Sequence, residues 1–126
     1  MNRLLIIIAL IFTTTAQAKE INLTCDVKRV DGKTAQYDLY LNTTEMTGTR
    51  SDADYKGVVD IQSDAYSLLI NSSTDAVSDI QKTVIDRTNL AVVERRIIDF
   101  GVEGIEPKQM VWSGKCQIKE APKNQI

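Results

Sequence analysis

The side chains that could perform chemistry in this chain are few, because it contains no histidine and only two cysteines. Two cysteines alone make a poor metal site, since structural zinc sites use four ligands, and a reactive thiol needs an activating neighbour such as histidine. Outside the reducing cytoplasm, such a pair forms a disulfide. We therefore expect a bond between Cys25 and Cys116, and we expect no metal or cofactor.

Carboxylates are the remaining candidates for catalysis or cation binding. Asp52 and Asp54 resemble the start of a calcium loop, but Ser63 stands where the closing glutamate is expected. Acidic residues between positions 99 and 106 could supply the two carboxylates of a glycoside hydrolase. Their neighbours are glycines and a proline, which is typical of ordinary loops. The sequence therefore predicts no catalytic activity.

A charged cluster interrupts an otherwise apolar segment at Glu94, Arg95 and Arg96. Charge falls on both faces of the predicted strand, so we expect the strand to leave the core there. Arginine anchors many interfaces through its flat fork of donors, and a solvated strand end with local ion pairs is the alternative. The candidate contact residues are this cluster, the start of the apolar loop after it and two tyrosines expected at the surface: Glu94, Arg95, Arg96, Phe100, Tyr40 and Tyr55.

The first eighteen residues indicate the compartment in which these side chains would act. Arg3 precedes an apolar run from Leu4 to Phe12, and the segment ends in Ala-Gln-Ala. The run is about nine residues long, whereas a membrane helix needs roughly twenty, so it predicts a cleaved signal rather than an anchor. We expect residues 1–18 to be removed, a periplasmic or secreted protein, and no membrane span in the mature chain.

Size and charge limit the remaining possibilities. Cleavage would leave 108 of the 126 residues, enough for one domain that buries roughly 65% of its unfolded surface. We assign residues 19–118 to that domain and residues 119–126 to a flexible tail. The formal charge of the whole chain is -2, and nucleic acids attract a concentrated excess of Lys and Arg, so we expect no nucleic-acid partner. The oligomeric state is left open.

The dominant period along the chain is two, which is typical of strands with one buried face. Apolar and polar residues alternate from 21 to 28 and again from 35 to 41. Between them lies Asp31-Gly32, a pair that readily supplies positive φ at both central positions of a tight hairpin turn. We therefore predict a β-hairpin over about residues 20–42.

Further alternating segments predict the other strands. The segment at 66–70 is apolar enough to be buried on both faces. Between 76 and 84 a helical stripe competes with a loop followed by a strand, and we predict the loop and strand. The remaining predicted strands lie near residues 46–50, 59–61, 90–102 and 109–118.

Seven or eight short strands without helices between them predict an all-β fold, a small antiparallel meander closed as a barrel or folded as a sandwich, with one disulfide. Pairing of the first strand with the last would close the sheet. In the last strand Trp112 shares the parity of Cys116, so we expect the indole to pack inside. The layout is similar to that of small periplasmic inhibitors and binding proteins, including lysozyme inhibitors, although no family motif is recognised.

Two functions fit this layout. A protein-binding or inhibitor module of the cell envelope would have another envelope or extracellular protein as its partner. It predicts that Arg95, Arg96 and the neighbouring apolar loop form one exposed patch. A structural or ligand-carrying envelope component predicts instead a barrel with an apolar cavity of at least roughly 300 Å³.

Overall fold

The computed structural model describes residues 20–119, which form eight antiparallel strands joined by turns and loops. Each strand follows a segment in which side chains alternate between the two faces, as the period of two predicts. The strands are β1 (Glu20–Arg29), β2 (Thr34–Asn42), β3 (Thr47–Arg50), β4 (Gly57–Ile61), β5 (Ala65–Asn71), β6 (Ser78–Asp86), β7 (Ala91–Asp99) and β8 (Lys108–Ile118).

The sheet closes into a barrel, because each strand pairs with the next and β8 pairs with β1. At the closing seam Cys25 lies directly opposite Cys116, and the two are joined by a disulfide. The predicted all-β fold and the predicted disulfide are both confirmed. Within residues 20–119 closure gives every strand a partner on each side, although β3 and β4 are paired at only two positions, Thr47 with Val58 and Gly48 with Gly57.

The core fills the part of the barrel where inward positions carry large aliphatic side chains. Leu39, Leu41, Leu68 and Ile85 are almost completely shielded from solvent. Each such side chain contributes roughly 1.5–3 kcal/mol by leaving water. The buried cluster consists of Leu23, Cys25, Val27, Tyr37, Leu39, Leu41, Val59, Leu68, Ile70, Ile85, Val92 and Cys116, with Trp112 packed against it.

The two ends of the barrel differ, since successive antiparallel strands place their connections alternately at opposite ends. Short turns over residues 43–46, 62–64 and 87–90 lie at one end. The other end, here called the loop end, carries the β1–β2 turn and the three longest connections, over residues 51–56, 72–77 and 100–107. Inward positions also carry charged side chains, at Arg50 in β3 and at Glu94 and Arg96 in β7.

The first hairpin forms as predicted, with one difference in its turn. Gly32 has a φ of 93°, whereas Asp31 does not adopt positive φ. The backbone N–H of Gly32 donates to the carbonyl of Arg29, and the N–H of Arg29 donates to the carbonyl of Lys33. The connection is therefore a three-residue loop that needs one left-handed position rather than two.

The structure decides the uncertain segment and corrects one prediction about a strand face. Residues 72–77 form a loop and β6 follows from Ser78, so the prediction of a loop and a strand is confirmed. The segment 66–70 forms most of β5 but is not buried on both faces, because Leu69 points outward and is 43% exposed. A closed barrel has one interior, so the second apolar face of such a strand lies at the surface.

Close packing around Gly57 in β4 yields a prediction. A Cβ atom added there would lie 2.6 Å from the carbonyl oxygen of Leu69 and 2.7 Å from Cδ1 of Leu68. We expect Gly57→Ala to lower the free energy of unfolding by about 1–3 kcal/mol, because the backbone of β5 must shift. Urea unfolding measures this, with the exposed neighbour Lys56→Ala expected within about 0.5 kcal/mol of wild type. Equal stability of the two variants would contradict the packing described here.

Several predictions concern residues outside the described range. The export signal at 1–18 lies there, as does the predicted tail apart from Lys119. Within residues 20–119 the structure contains no helix, and therefore none long and apolar enough to cross a membrane.

Candidate functional site

The charged cluster predicted as a contact surface is divided between the two faces of β7. Consecutive residues of a strand point to opposite sides, so Glu94 and Arg96 face the barrel interior while Arg95 faces outward. Glu94 is only 4% exposed. The expectation that the strand leaves the core here is therefore wrong, because β7 continues without interruption and carries Glu94 inside.

An arginine from β3 reaches Glu94 inside the barrel. The Arg50 Nη1 atom lies 2.8 Å from Glu94 Oε1, and both side chains are almost fully buried. Gln81 donates from Nε2 to the other carboxylate oxygen of Glu94 at 2.6 Å. Both oxygens of this buried carboxylate are thus satisfied, which offsets much of the cost of removing it from water.

Arg50 is the centre of this interior cluster. Its Nε and Nη2 atoms donate to the two oxygens of Asp52 at 2.8 and 2.6 Å, and Nη1 also donates to the Thr83 hydroxyl at 3.1 Å. Its guanidinium carbon lies 3.8 Å from the centre of the Tyr37 ring. Burial alone would lower the pKa of Arg50, but its hydrogen bond to Asp52 and the charge of Glu94 hold that pKa above the usual value.

These contacts bear on the carboxylates considered as a calcium loop. Both oxygens of Asp52 accept from Arg50, so this side chain serves the interior cluster. No group of three potential metal ligands converges among residues 20–119. The acidic side chains of the loop over residues 100–107 are exposed to solvent.

Arg96 forms a second inward-facing pair, closer to the loop end. Its Nε and Nη2 atoms donate to the two oxygens of Asp79 at 2.9 and 2.7 Å. These hydrogen bonds lower the pKa of Asp79 from its usual value. Because 40% of the Arg96 side chain is exposed, solvent screens this pair and it stabilises the fold less than the Arg50 cluster does.

Arg95 lies on the outer surface, in a row of side chains that runs across five strands. In register order the row is Val58, Leu69, Lys82, Arg95 and Val111. The neighbouring rows add further aliphatic residues on both sides of the two cations. We call this region the outer aliphatic face, and it consists of Val58, Leu69, Ile80, Lys82, Val84, Val93, Arg95, Ile97 and Val111.

The outer aliphatic face is exposed and slightly concave at its centre. The exposed fractions of its side chains include 63% for Val58, 46% for Val93 and 41% for Ile97. A shallow groove of about 360 Å³ lies over β5, β6 and β7. It is lined by Leu69, Ile80, Lys82, Val84, Val93, Arg95 and Ile97.

The opposite side of the barrel has a different outer surface. Outward positions of β1 and β2 carry polar or charged side chains, and several are paired across the strands. Thr24 donates to Asp38 at 2.9 Å, and Gln36 donates to Asp26 at 2.8 Å. The aliphatic character of the β5–β7 face is therefore a local feature and not a general property of this surface.

The other predicted contact residues lie elsewhere. Tyr40 is exposed on the outer face of β2, on the polar side, while Tyr55 and Phe100 are exposed in two loops at the loop end. The structure thus does not bring Arg95, Arg96 and the apolar loop into one patch. Trp112 faces inward as expected, and the Arg29 guanidinium carbon lies 5.3 Å from its ring centre.

The sequence carried a signal for the outer aliphatic face, which in β5 we interpreted as burial on both faces of the strand. Apolar residues occupy positions of both parities in β5 and β7, as in Leu68-Leu69-Ile70, Val92-Val93 and Ile97-Ile98. Such runs occur in strands buried on both faces. Once the sheet closes into a barrel, the same runs instead produce an aliphatic outer surface.

The two cations of this face give a prediction about stability. Lys82 lies directly opposite Arg95, and neither forms an ion pair within the part of the chain that the structure describes. Like charges in directly opposed positions destabilise a sheet, and opposite charges stabilise it. We expect Lys82→Glu to raise the free energy of unfolding by about 0.5–1 kcal/mol at low salt.

Urea unfolding in 20 mM and 1 M salt checks this, since salt screens exposed charges and should reduce the gain. The isosteric control Lys82→Gln should give a smaller increase, because it removes repulsion without adding attraction. A loss of stability in Lys82→Glu would show that the two cations do not repel each other as the register indicates.

Comparison with known proteins gives no assignment: no family model, no curated protein and no solved structure matches this chain.

Proposed function

We propose that this protein is a protein-binding module, of the inhibitor or adaptor type, that binds its partner through the outer aliphatic face. The observation that supports the proposal most directly is the contrast between the two sides of the barrel. One side exposes a contiguous aliphatic surface around two cations, and the other is polar and internally hydrogen-bonded. Large exposed apolar patches on single domains mark interaction sites.

Barrel closure determines how such a partner would bind. Strands β5, β6 and β7 are each paired with a neighbour on both sides, so a partner on this surface has no sheet edge to extend. Recognition on the β5–β7 surface must therefore come from side chains. Aliphatic residues there would supply the area removed from water, and the cations would supply specificity.

The carrier alternative has less support from the interior. The interior of the barrel contains the ion pair between Arg50 and Glu94, with Tyr37 and Thr83 against Arg50. A site for an apolar ligand would have to displace or bury these charged groups. The exterior, in contrast, has apolar surface that none of residues 20–119 covers.

The disulfide is consistent with an oxidising, extracellular environment. Together with the predicted export signal it supports a periplasmic or secreted location as part of this proposal. The partner would then be another protein of the envelope or the exterior.

Site-specific photo-cross-linking tests the proposal. A benzoylphenylalanine residue at Val93 reports contacts on the outer aliphatic face, and one at the exposed Lys28 on the polar side is the matched control. In cells of its source, we expect a discrete cross-linked protein from position 93 and none from position 28.

The cross-linked protein, once purified, should bind wild type with a stoichiometry of one to one. Val93→Glu should weaken that binding at least tenfold while circular dichroism shows an unchanged fold. Absence of any cross-link at position 93, or equal cross-linking at both positions, would refute the proposed binding surface.

A further inference from the structure

The centre of the outer aliphatic face holds two cations that the fold itself does not use. Lys82 and Arg95 are opposed across β6 and β7, and no carboxylate in residues 20–119 pairs with either. Like-charged neighbours in a sheet reduce its stability. Other arginines of the barrel, such as Arg50 and Arg96, do have acidic partners.

The surroundings of these two cations would strengthen any ion pair formed there. Leu69, Val93 and Ile97 line the groove next to them. An apolar partner surface placed on these side chains would exclude water, and charge interactions are stronger where water is excluded. Arginine can also bind a carboxylate through two parallel hydrogen bonds.

A second copy of this chain does not fit the same surface well. In a symmetric dimer the same patch faces itself, so both copies of Lys82 and of Arg95 would lie in one interface. Four cations would then meet in a dehydrated interface with no anion between them. The charge of the groove instead requires an acidic counterpart.

We propose that Lys82 and Arg95 form a clamp for a side-chain carboxylate of a partner protein, with aliphatic residues of the partner on both sides of that carboxylate. This inference rests on the proposed function and identifies the chemistry of the partner surface. The clamp supplies specificity because a partner without the acid would leave two cations unpaired under an apolar cover.

A random twelve-residue peptide library displayed on phage is the probe for this chemistry. Selection is carried out against the wild-type protein, and recovered peptides are synthesised and titrated. We expect recovered sequences to contain Asp or Glu next to Val, Ile or Leu. Their affinity should fall at least tenfold in the double variant Lys82→Gln with Arg95→Gln.

Two matched changes make the test specific for the clamp. The exposed pair Lys28→Gln with Lys33→Gln removes the same charge from the other side of the barrel and should leave peptide affinity unchanged. Replacing the acidic residue of the peptide by its amide should lower the affinity about as much as replacing Lys82 and Arg95 in the protein does. The amide peptide and the Lys82 and Arg95 double variant, tested together, should show little further loss of affinity beyond either change alone, because both changes remove the same interaction.

Several outcomes would overturn the clamp. These are recovery of basic or uncharged peptides, equal binding to wild type and to the Lys82 and Arg95 variant, or no peptide that depends on these two cations. The clamp is also overturned if sedimentation shows that the wild type is a dimer and that Val93→Glu dissociates it. It is overturned equally if phosphatidylglycerol vesicles bind the wild type but do not bind the double variant of Lys82 and Arg95.

The clamp and the proposed function can fail separately. A protein cross-linked at Val93 whose affinity is unchanged by neutralising both cations would leave the binding surface in place and remove the clamp. No cross-link at Val93 would remove the binding function itself.

Discussion

Replacing both cysteines, as Cys25→Ala with Cys116→Ala, is expected to lower the free energy of unfolding by about 4–5 kcal/mol. The disulfide joins residues that are 91 positions apart, so in the chain-entropy model it removes a large share of the freedom of the unfolded chain. The loss approaches the whole stability of many domains, which is typically about 5–15 kcal/mol. Thermal unfolding should therefore shift down by at least about 15 °C.

Reduction of the wild-type protein provides the control for this prediction. It breaks the crosslink without changing the side-chain atoms around Cys25 and Cys116, both of which are buried. Urea unfolding should give the reduced protein and the double variant similar free energies of unfolding, both lower than that of the oxidised protein. If reduced wild type were as stable as the oxidised protein, the fold would not depend on this bond.

The second large effect is expected at the interior cluster. Arg50→Met should destabilise the protein by about 3–5 kcal/mol, because it leaves the buried Glu94 carboxylate without its cation. The double variant Arg50→Met with Glu94→Leu should recover most of this loss, since it removes both charges and places apolar side chains in the barrel. The single variant is thus expected to be less stable than the double variant.

Denaturant unfolding of the two single variants and the double variant forms a double-mutant cycle that measures the coupling. Arg96→Met is the matched control, because it removes an arginine from a partly exposed pair and should cost no more than about 1 kcal/mol. A double variant no more stable than Arg50→Met alone would show that unpaired charge is not the source of the loss.

Much of the fold could be predicted from alternation and from the two cysteines. The first hairpin follows from two alternating segments around one turn, which is a local signal. Closure of the sheet could be considered from the sequence because Cys25 and Cys116 lie in the first and last predicted strands. The structure pairs those two strands. The choice between a barrel and a sandwich depends on long-range register, which alternation does not contain.

The interior ion pair could not be predicted in the same way. Glu94 stands among charged neighbours, and such clusters usually lie at the surface. Its partner Arg50 belongs to β3, a strand of four residues that the barrel brings near β7 only through closure. Such a pair can be recognised only when it is known which inward-facing side chains meet across the barrel interior.

The outer aliphatic face was missed for a related reason. Runs such as Leu68-Leu69-Ile70 indicated burial on both faces, and the hydrophobicity itself was interpreted correctly. What alternation cannot tell is whether a second layer of the same chain covers the outer side. None of the described residues covers the outer side of these strands, so the side chains predicted to be buried there are exposed.

The disulfide has a further consequence because it spans nearly all the strands of the barrel. The backbone between Cys25 and Cys116, together with the sulfur bridge, forms one covalent ring that includes every loop of the domain. A protease that cuts any one of those loops therefore opens the ring without releasing a fragment. A molecule nicked once in this way remains one connected body whose strands can stay in register.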